Sequence, residues 1–316
     1  MTSELSSEDR EILLRYLNRK NAPVQAAPKV DPVVIPGTFD FSIDNLVKNE
    51  KTFYNNTKVG DNYVGLPLAL EEAQKWVKAN NGIVATMPYL IAGKANAFIT
   101  DAKGNKLRDD NNYLWKQWLT ALSEEYVGID EKGKYAGKGK SVLITLHGGG
   151  ILTPDRIKKA YADGLTAQNA AKLEAPEITN LLNGVLPSGE HITVYSFDDL
   201  KKGIQQPFGK YAAVIEFDKV KSLQSKQFKE KEFLANPLVL MRAGTMKYLS
   251  EYYEKAHDKD GLGCYHRFNE TNPSVPSGRL LFLNFNCGGL NGFNPLNSGR
   301  FVGVAPEAQR KKKITV

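Results

Sequence analysis

His147 stands at the end of an apolar, partly β-branched run, SVLITL, and is followed by Gly148, Gly149 and Gly150. An imidazole can exchange a proton near neutral pH. Glycines after a strand can turn backbone amides toward an anion. Tyr195, in HITVYSF, offers a ring for stacking on a planar ligand. Arg279 and Arg300 each complete a Ser-Gly-Arg tripeptide that opens an apolar run, Ser277-Gly278-Arg279 and Ser298-Gly299-Arg300. A guanidinium there suits a phosphate or carboxylate, or a clamp on neighbouring acids and carbonyls. Between the two, NFNCGGLNGFNPLNSG is rich in residues that accept left-handed backbone, so 284–299 reads as a shaped loop and a binding surface. Soft metal ligands amount to Cys264, His266 and Cys287, whose spacing matches no standard zinc pattern; no metal site is expected. The acidic pairs Glu124-Glu125, Asp109-Asp110 and Asp198-Asp199 read as solvated caps and faces, because adjacent residues on a helix point about 100° apart. Gly139-Lys140-Ser141 ends a phosphate-loop string, but Lys134 replaces its first glycine and a strand follows, so that reading is set aside.

The elements that must position these residues follow from pattern. GLPLALEEAQKWVKANNG predicts a helix closed by Asn81-Gly82, and NNYLWKQWLTALSEEY predicts another with Leu114, Trp118 and Leu119 inward. Trp76, Trp115 and Trp118 are expected as core anchors. Thr153, Pro154 and Gly164 frame a helix over DRIKKAYAD. HITVYSF, YAAVIEF, PLVLMRAG, GRLLFLNF and RFVGVA read as strands. TMKYLSEYYEKAHD reads as a helix with Met246, Leu249, Tyr253 and Ala256 on one face. The alternation predicts an α+β (or α/β) body with a large mixed sheet, spanning 38–316 as one unit with a basic tail at 310–316.

Ahead of that body lies a different kind of segment. Ser6 or Ser7 can cap a helix, Glu8 and Asp9 suit its first turn, and Ile12, Leu13, Tyr16 and Leu17 share one face. Such a short amphipathic helix needs a surface on which to bury its stripe. Residues 21–37 carry Pro23, Pro28, Pro32 and Pro36, which favour an extended strap of about 50 Å at ~3.1 Å per residue. Residues 1–20 thus read as a docking helix and 21–37 as a stiff linker.

Two resemblances attach to His147. SVLITLHGGGI resembles the HGGG oxyanion loop of lipase and esterase α/β-hydrolases, which implies an oxyanion hole at His147 to Gly150; no G-x-S-x-G nucleophile elbow follows. Over about 141–222, the order LHGGG, DRIKKAYADGL, ITVYSFDDLKK and AAVIEFDKVKS is similar to the ADP-ribosyltransferase fold of poly(ADP-ribose) polymerases. That resemblance implies NAD as cofactor, with His147 on its ribose, Gly148 on nicotinamide and Tyr195 stacking. GRLLFLNF lacks the family's late-strand glutamate, and Glu307 is a distant substitute.

The 316 residues are 41% hydrophobic and 24% charged, which suits a folded protein with a full core. The net charge of +7 falls in three places: Lys132 to Lys140, Lys219 to Lys231, and Arg310 to Lys313. These read as solvated turns and a basic tail, so nucleic acid is a weakly supported partner. No apolar run approaches a membrane span, and MTSELSSEDREILL lacks a secretory pattern, so a reducing, cytoplasmic setting is expected. The first expectation for function is an assembly or partner-binding protein acting through the N-terminal helix. The alternatives are an ADP-ribosyltransferase-like enzyme, where NAD would be the cofactor, and a hydrolase of the HGGG type; without the former, no cofactor is expected.

Overall fold

The computed structural model describes residues 43–49, 51–59, 61–284, 289–292 and 296–305. Ile12, Leu13, Tyr16 and Leu17, the proline strap, Cys287, Glu307 and the basic tail lie outside the described residues.

The chain enters through α1 (Ile43–Asn49) and β1 (Lys51–Asn55), then a small hairpin, β2 (Lys58–Val59) and β3 (Asn62–Tyr63). Next come α2 (Leu66–Ala79), β4 (Ile83–Val84), α3 (Met87–Asn96), the hairpin β5 (Phe98–Thr100) and β6 (Lys106–Arg108), and α4 (Tyr113–Lys116). The centre is β7 (Leu119–Asp130), β8 (Lys140–His147), α5 (Pro154–Asp163), β9 (Ala171–Lys172), α6 (Ala175–Leu182), β10 (Thr193–Ser196), α7 (Phe197–Lys202) and β11 (Tyr211–Glu216). It continues through α8 (Asp218–Lys221), β12 (Lys226–Phe228), α9 (Glu230–Ala235), α10 (Pro237–Ala243) and α11 (Leu249–Ala256). The last strands are β13 (Leu262–Tyr265), β14 (Ser277–Leu283), β15 (Leu290–Asn291) and β16 (Gly299–Val304).

The class is α+β. One sheet runs β10-β11-β8-β7-β14-β15-β13-β12, with β9 beside β14; a smaller one runs β1-β16-β4. Antiparallel pairing of β1 with β16 sets Tyr54 opposite Arg300. The large sheet is buried on both faces. Leu143, Val127 and Leu281 pack toward α3 and α10, while Val142, Ile144 and Tyr126 belong to the core that includes Leu70, Ile157 and Ile178.

Two elements differ from the sequence reading. NNYLWKQWLTALSEEY is a single short helix, capped by the Asn112 side chain, followed by the start of the long strand β7. Both faces of β7 are covered, so its residues lack the polar alternation of a half-exposed strand. Its Glu124 and Glu125 are therefore buried, at 0% and 3% exposure, and point to opposite faces rather than standing on a solvated helix. PLVLMRAG is the helix α10: Asn236 Oδ1 accepts from the Leu238 amide, Pro237 takes the first turn, and Gly244 ends it at φ 72°. Met246 is exposed and precedes α11 instead of joining its inner face. Among the described residues, no helix is long and apolar enough to cross a membrane.

Candidate functional site

The residues singled out for chemistry fall into an interior set and a surface set. In the interior, β7 and β8 bring Ser123 beside His147, and β11 adds Tyr211. His147 Nε2 lies 3.2 Å from the Met241 carbonyl, which can only accept, so Nε2 carries the proton. Nδ1 then accepts from the Ser123 hydroxyl at 2.9 Å, and Ser123 Oγ accepts from the Met87 amide. This relay ties the start of α3 and the end of α10 to the sheet. The imidazole is fully buried, and burial pushes its pKa down to about 4 from an ordinary 6.5.

A direct expectation follows. Followed by NMR, the His147 ring should remain neutral at pH 5, where a free imidazole is mostly charged. Its folded pKa lies below the unfolded one, so the unfolded chain binds more protons between about 6.5 and 4. His147 therefore withdraws stability as pH falls through that window, by at most ~1.4 kcal/mol per pH unit. An imidazolium signal from His147 at pH 5 would contradict this placement.

Gly148, Gly149 and Gly150 all adopt positive φ, at 96°, 69° and 144°. A Cβ on Gly149 would sit 2.8 Å from Leu122, and one on Gly150 2.7 Å from Leu186, so the run needs glycine for space as well as backbone. The turn wraps a carboxylate of the protein's own. Glu124 accepts from the amides of Gly150, Ile151 and Leu152 at 3.2, 3.2 and 3.1 Å and from the Tyr126 hydroxyl. Of the residues His147 to Gly150 expected to line an oxyanion hole, Gly150 thus gives its amide to Glu124, and Gly148 gives its own to the Leu122 carbonyl at 2.9 Å. The Walker-like string behaves alike: the amides of Gly133, Tyr135 and Ala136 close on Asp130 at the other end of β7.

Glu125, on the opposite face, pairs with the fully buried Arg242 through bonds of 2.8 and 2.9 Å. Arg242 Nη1 also donates to the carbonyls of Tyr265 and Leu290, fixing β13 and β15. Burial opposes its charge, but Glu125 and the Cys264 sulfur hold its pKa above the ordinary value. Burial also pushes the Cys264 thiol up to about 11, leaving it a structural residue. Arg279, read as an anion ligand or as a clamp on neighbouring acids and carbonyls, is interior too: it stands across from Glu125 in the β14–β7 register, and burial lowers its pKa to about 10. His266 is buried and stacked on Phe268. Among the described residues no three His, Cys, Asp or Glu side chains converge as metal ligands.

The surface set centres on Arg300. Its guanidinium carbon lies 4.1 Å from the Tyr54 ring centroid and 5.2 Å from that of Trp118, and Nη1 donates to the Tyr113 hydroxyl at 3.2 Å. Tyr54 and Trp118 meet edge to face at 6.0 Å. Tyr54 is 44% exposed, and Trp118 and Arg300 are half-buried, so Trp118 is a surface ring rather than the expected core anchor. Tyr54 also borders a groove of about 610 Å³ between β1 and α2, where Lys51 lies over the Phe53 and Trp76 rings. Tyr195 borders the interior set. It is half-buried and packs edge-on against Tyr211, 5.7 Å away. The sequence reading found Arg300 but missed Tyr54, Tyr113 and Lys51: Tyr54 comes opposite Arg300 only through the β1–β16 pairing, and Tyr113 reaches it from α4, 187 residues away. The Asn/Gly-rich segment is described only in part, with Leu290 held by Arg242 and Leu296 buried.

No family model and no curated protein matches the chain. A solved structure described as "Accommodation of massive sequence variation in Nanoarchaeota by the C-type lectin fold" resembles it at 24% identity and a TM-score of 0.55, covering 82% of this chain and 99% of that one. The likeness shows the fold: the body has the C-type lectin fold. It overturns the ADP-ribosyltransferase resemblance, and with it the basis for assigning His147, Gly148 and Tyr195 to NAD.

Proposed function

We propose that this is an assembly or partner-binding protein, with a C-type-lectin-fold body and an N-terminal docking helix whose stripe is Ile12, Leu13, Tyr16 and Leu17. The observation that carries the reading is the Arg300, Tyr54 and Trp118 cluster on the surface. Arginine, tyrosine and tryptophan dominate the energetics of protein interfaces, because each combines a large apolar area with a polar handle. Here the guanidinium is already held against two rings, so little side-chain freedom remains to be lost on binding. The Nanoarchaeota structure supports a scaffold reading in its own terms, as a fold that accommodates massive sequence variation.

The test is the molar mass of the full chain and of its Leu13→Asp variant. An apolar stripe that docks between chains cannot bury a carboxylate. The variant is expected to lose the oligomer while its circular dichroism spectrum stays that of a folded chain. An oligomer that survives Leu13→Asp contradicts the role given to the helix.

A further inference from the structure

An amphipathic arm needs a surface that offers both rings and charges, and the shallow groove between β1 and α2 offers both. Its floor is aromatic: Phe53 and Trp76 meet at 5.8 Å, with Tyr54 at the rim. Its charges are Lys51, Lys75 and Glu72. Lys51 lies over the two rings, and Lys75 bonds Glu71 at 2.7 Å. The arm carries complementary features in order: acids Glu8 and Asp9 at its head, the stripe Ile12, Leu13, Tyr16 and Leu17, and bases Arg15 and Arg19 behind.

Reach decides which copy supplies the arm. The described chain starts at Ile43, and α1 has seven residues, about 10 Å, before β1 and the groove begin. If residues 21–37 are extended, as their four prolines lead one to expect, a strap of about 50 Å would have to fold back on itself to serve its own groove. Reaching a neighbour requires no such reversal, and two chains exchanging arms form a closed, two-fold arrangement. We infer that the groove between β1 and α2 receives the helix of residues 6–20 from a second copy of this chain. This rests on the assembly reading above.

Charge reversal on the full-length chain tests it. One variant, Glu8→Lys with Asp9→Lys, reverses the arm; another, Lys51→Glu with Lys75→Glu, reverses the groove. Glu8 and Asp9 are not among the four apolar residues of the stripe, and Lys51 and Lys75 are exposed, so thermal unfolding reports whether each variant remains folded. Each variant alone is expected to dimerise at least tenfold more weakly than the parent. Mixed, they should recover dimer as a heterodimer in native mass spectrometry, because both arm–groove contacts are then complementary. Groove reversal without effect on assembly, or a mixture that stays monomeric, overturns the inference, while the Leu13→Asp result decides the assembly reading separately. A parent chain that is monomeric overturns both.

Discussion

Arg242→Ala is expected to destabilise the protein by about 3–5 kcal/mol, the cost of leaving one member of a buried ion pair without its partner. Arg242 is fully buried and Glu125 nearly so, so truncation leaves the carboxylate in the interior without its counter-charge. The substitution also strips the Tyr265 and Leu290 carbonyls of their donor, so β13 and β15 lose the side chain that joins them to α10. The pair is also tightly enclosed on the loop side: at Gly292, a Cβ would lie 2.2 Å from Arg242 Nη2 and 2.5 Å from Glu125 Oε1. Denaturant titration measures the loss. A double variant, Arg242→Leu with Glu125→Leu, removes both charges and should recover much of it. A single variant within about 1 kcal/mol of the parent would show that the pair is not desolvated.

The second large effect belongs to Glu124→Leu. Four donors converge on this carboxylate, the amides of Gly150, Ile151 and Leu152 and the Tyr126 hydroxyl. Burial pushes its pKa up and these donors pull it down, with burial prevailing. Leucine fills a similar volume and accepts nothing. At ~1–3 kcal/mol for each stranded buried donor, the expected loss is about 4 kcal/mol or more. Glu124→Gln keeps one accepting oxygen but turns an NH2 toward donors, so it should fall between parent and leucine variant. Hydrogen exchange would register the same change locally, as faster exchange at Gly150, Ile151 and Leu152. Protected amides in a folded Glu124→Leu protein would contradict the arrangement.

Much of the body was legible in the sequence. The β8 run, the Thr153-Pro154 start of α5, the Asn81-Gly82 close of α2 and the strands β11, β14 and β16 all carry local signals. The failures have a common cause. β7 is buried on both sides, so no alternation marked it, and its acids looked solvated because their partners are far away in sequence. Glu125 meets Arg242 across 117 residues, and Glu124 meets a glycine turn 26 to 28 residues on. The helix α10 did carry its signal, a proline at its start and a glycine at its end, but its apolar run resembled a buried strand. The His147 string was found, yet its chemistry is turned inward. The Arg300 cluster depends on a strand pair joining residues 51–55 to residues 299–303, which local pattern cannot supply.

Assembly through the arm is the central claim, and light scattering tests it most directly. The full chain and a chain beginning at Thr38 are measured at the same concentration, with circular dichroism to confirm that the shorter one is folded. The account predicts a mass of at least two chains for the full protein and of one chain after removal of residues 1–37. Equal multiples of the chain mass for both, whether one or more, would contradict it.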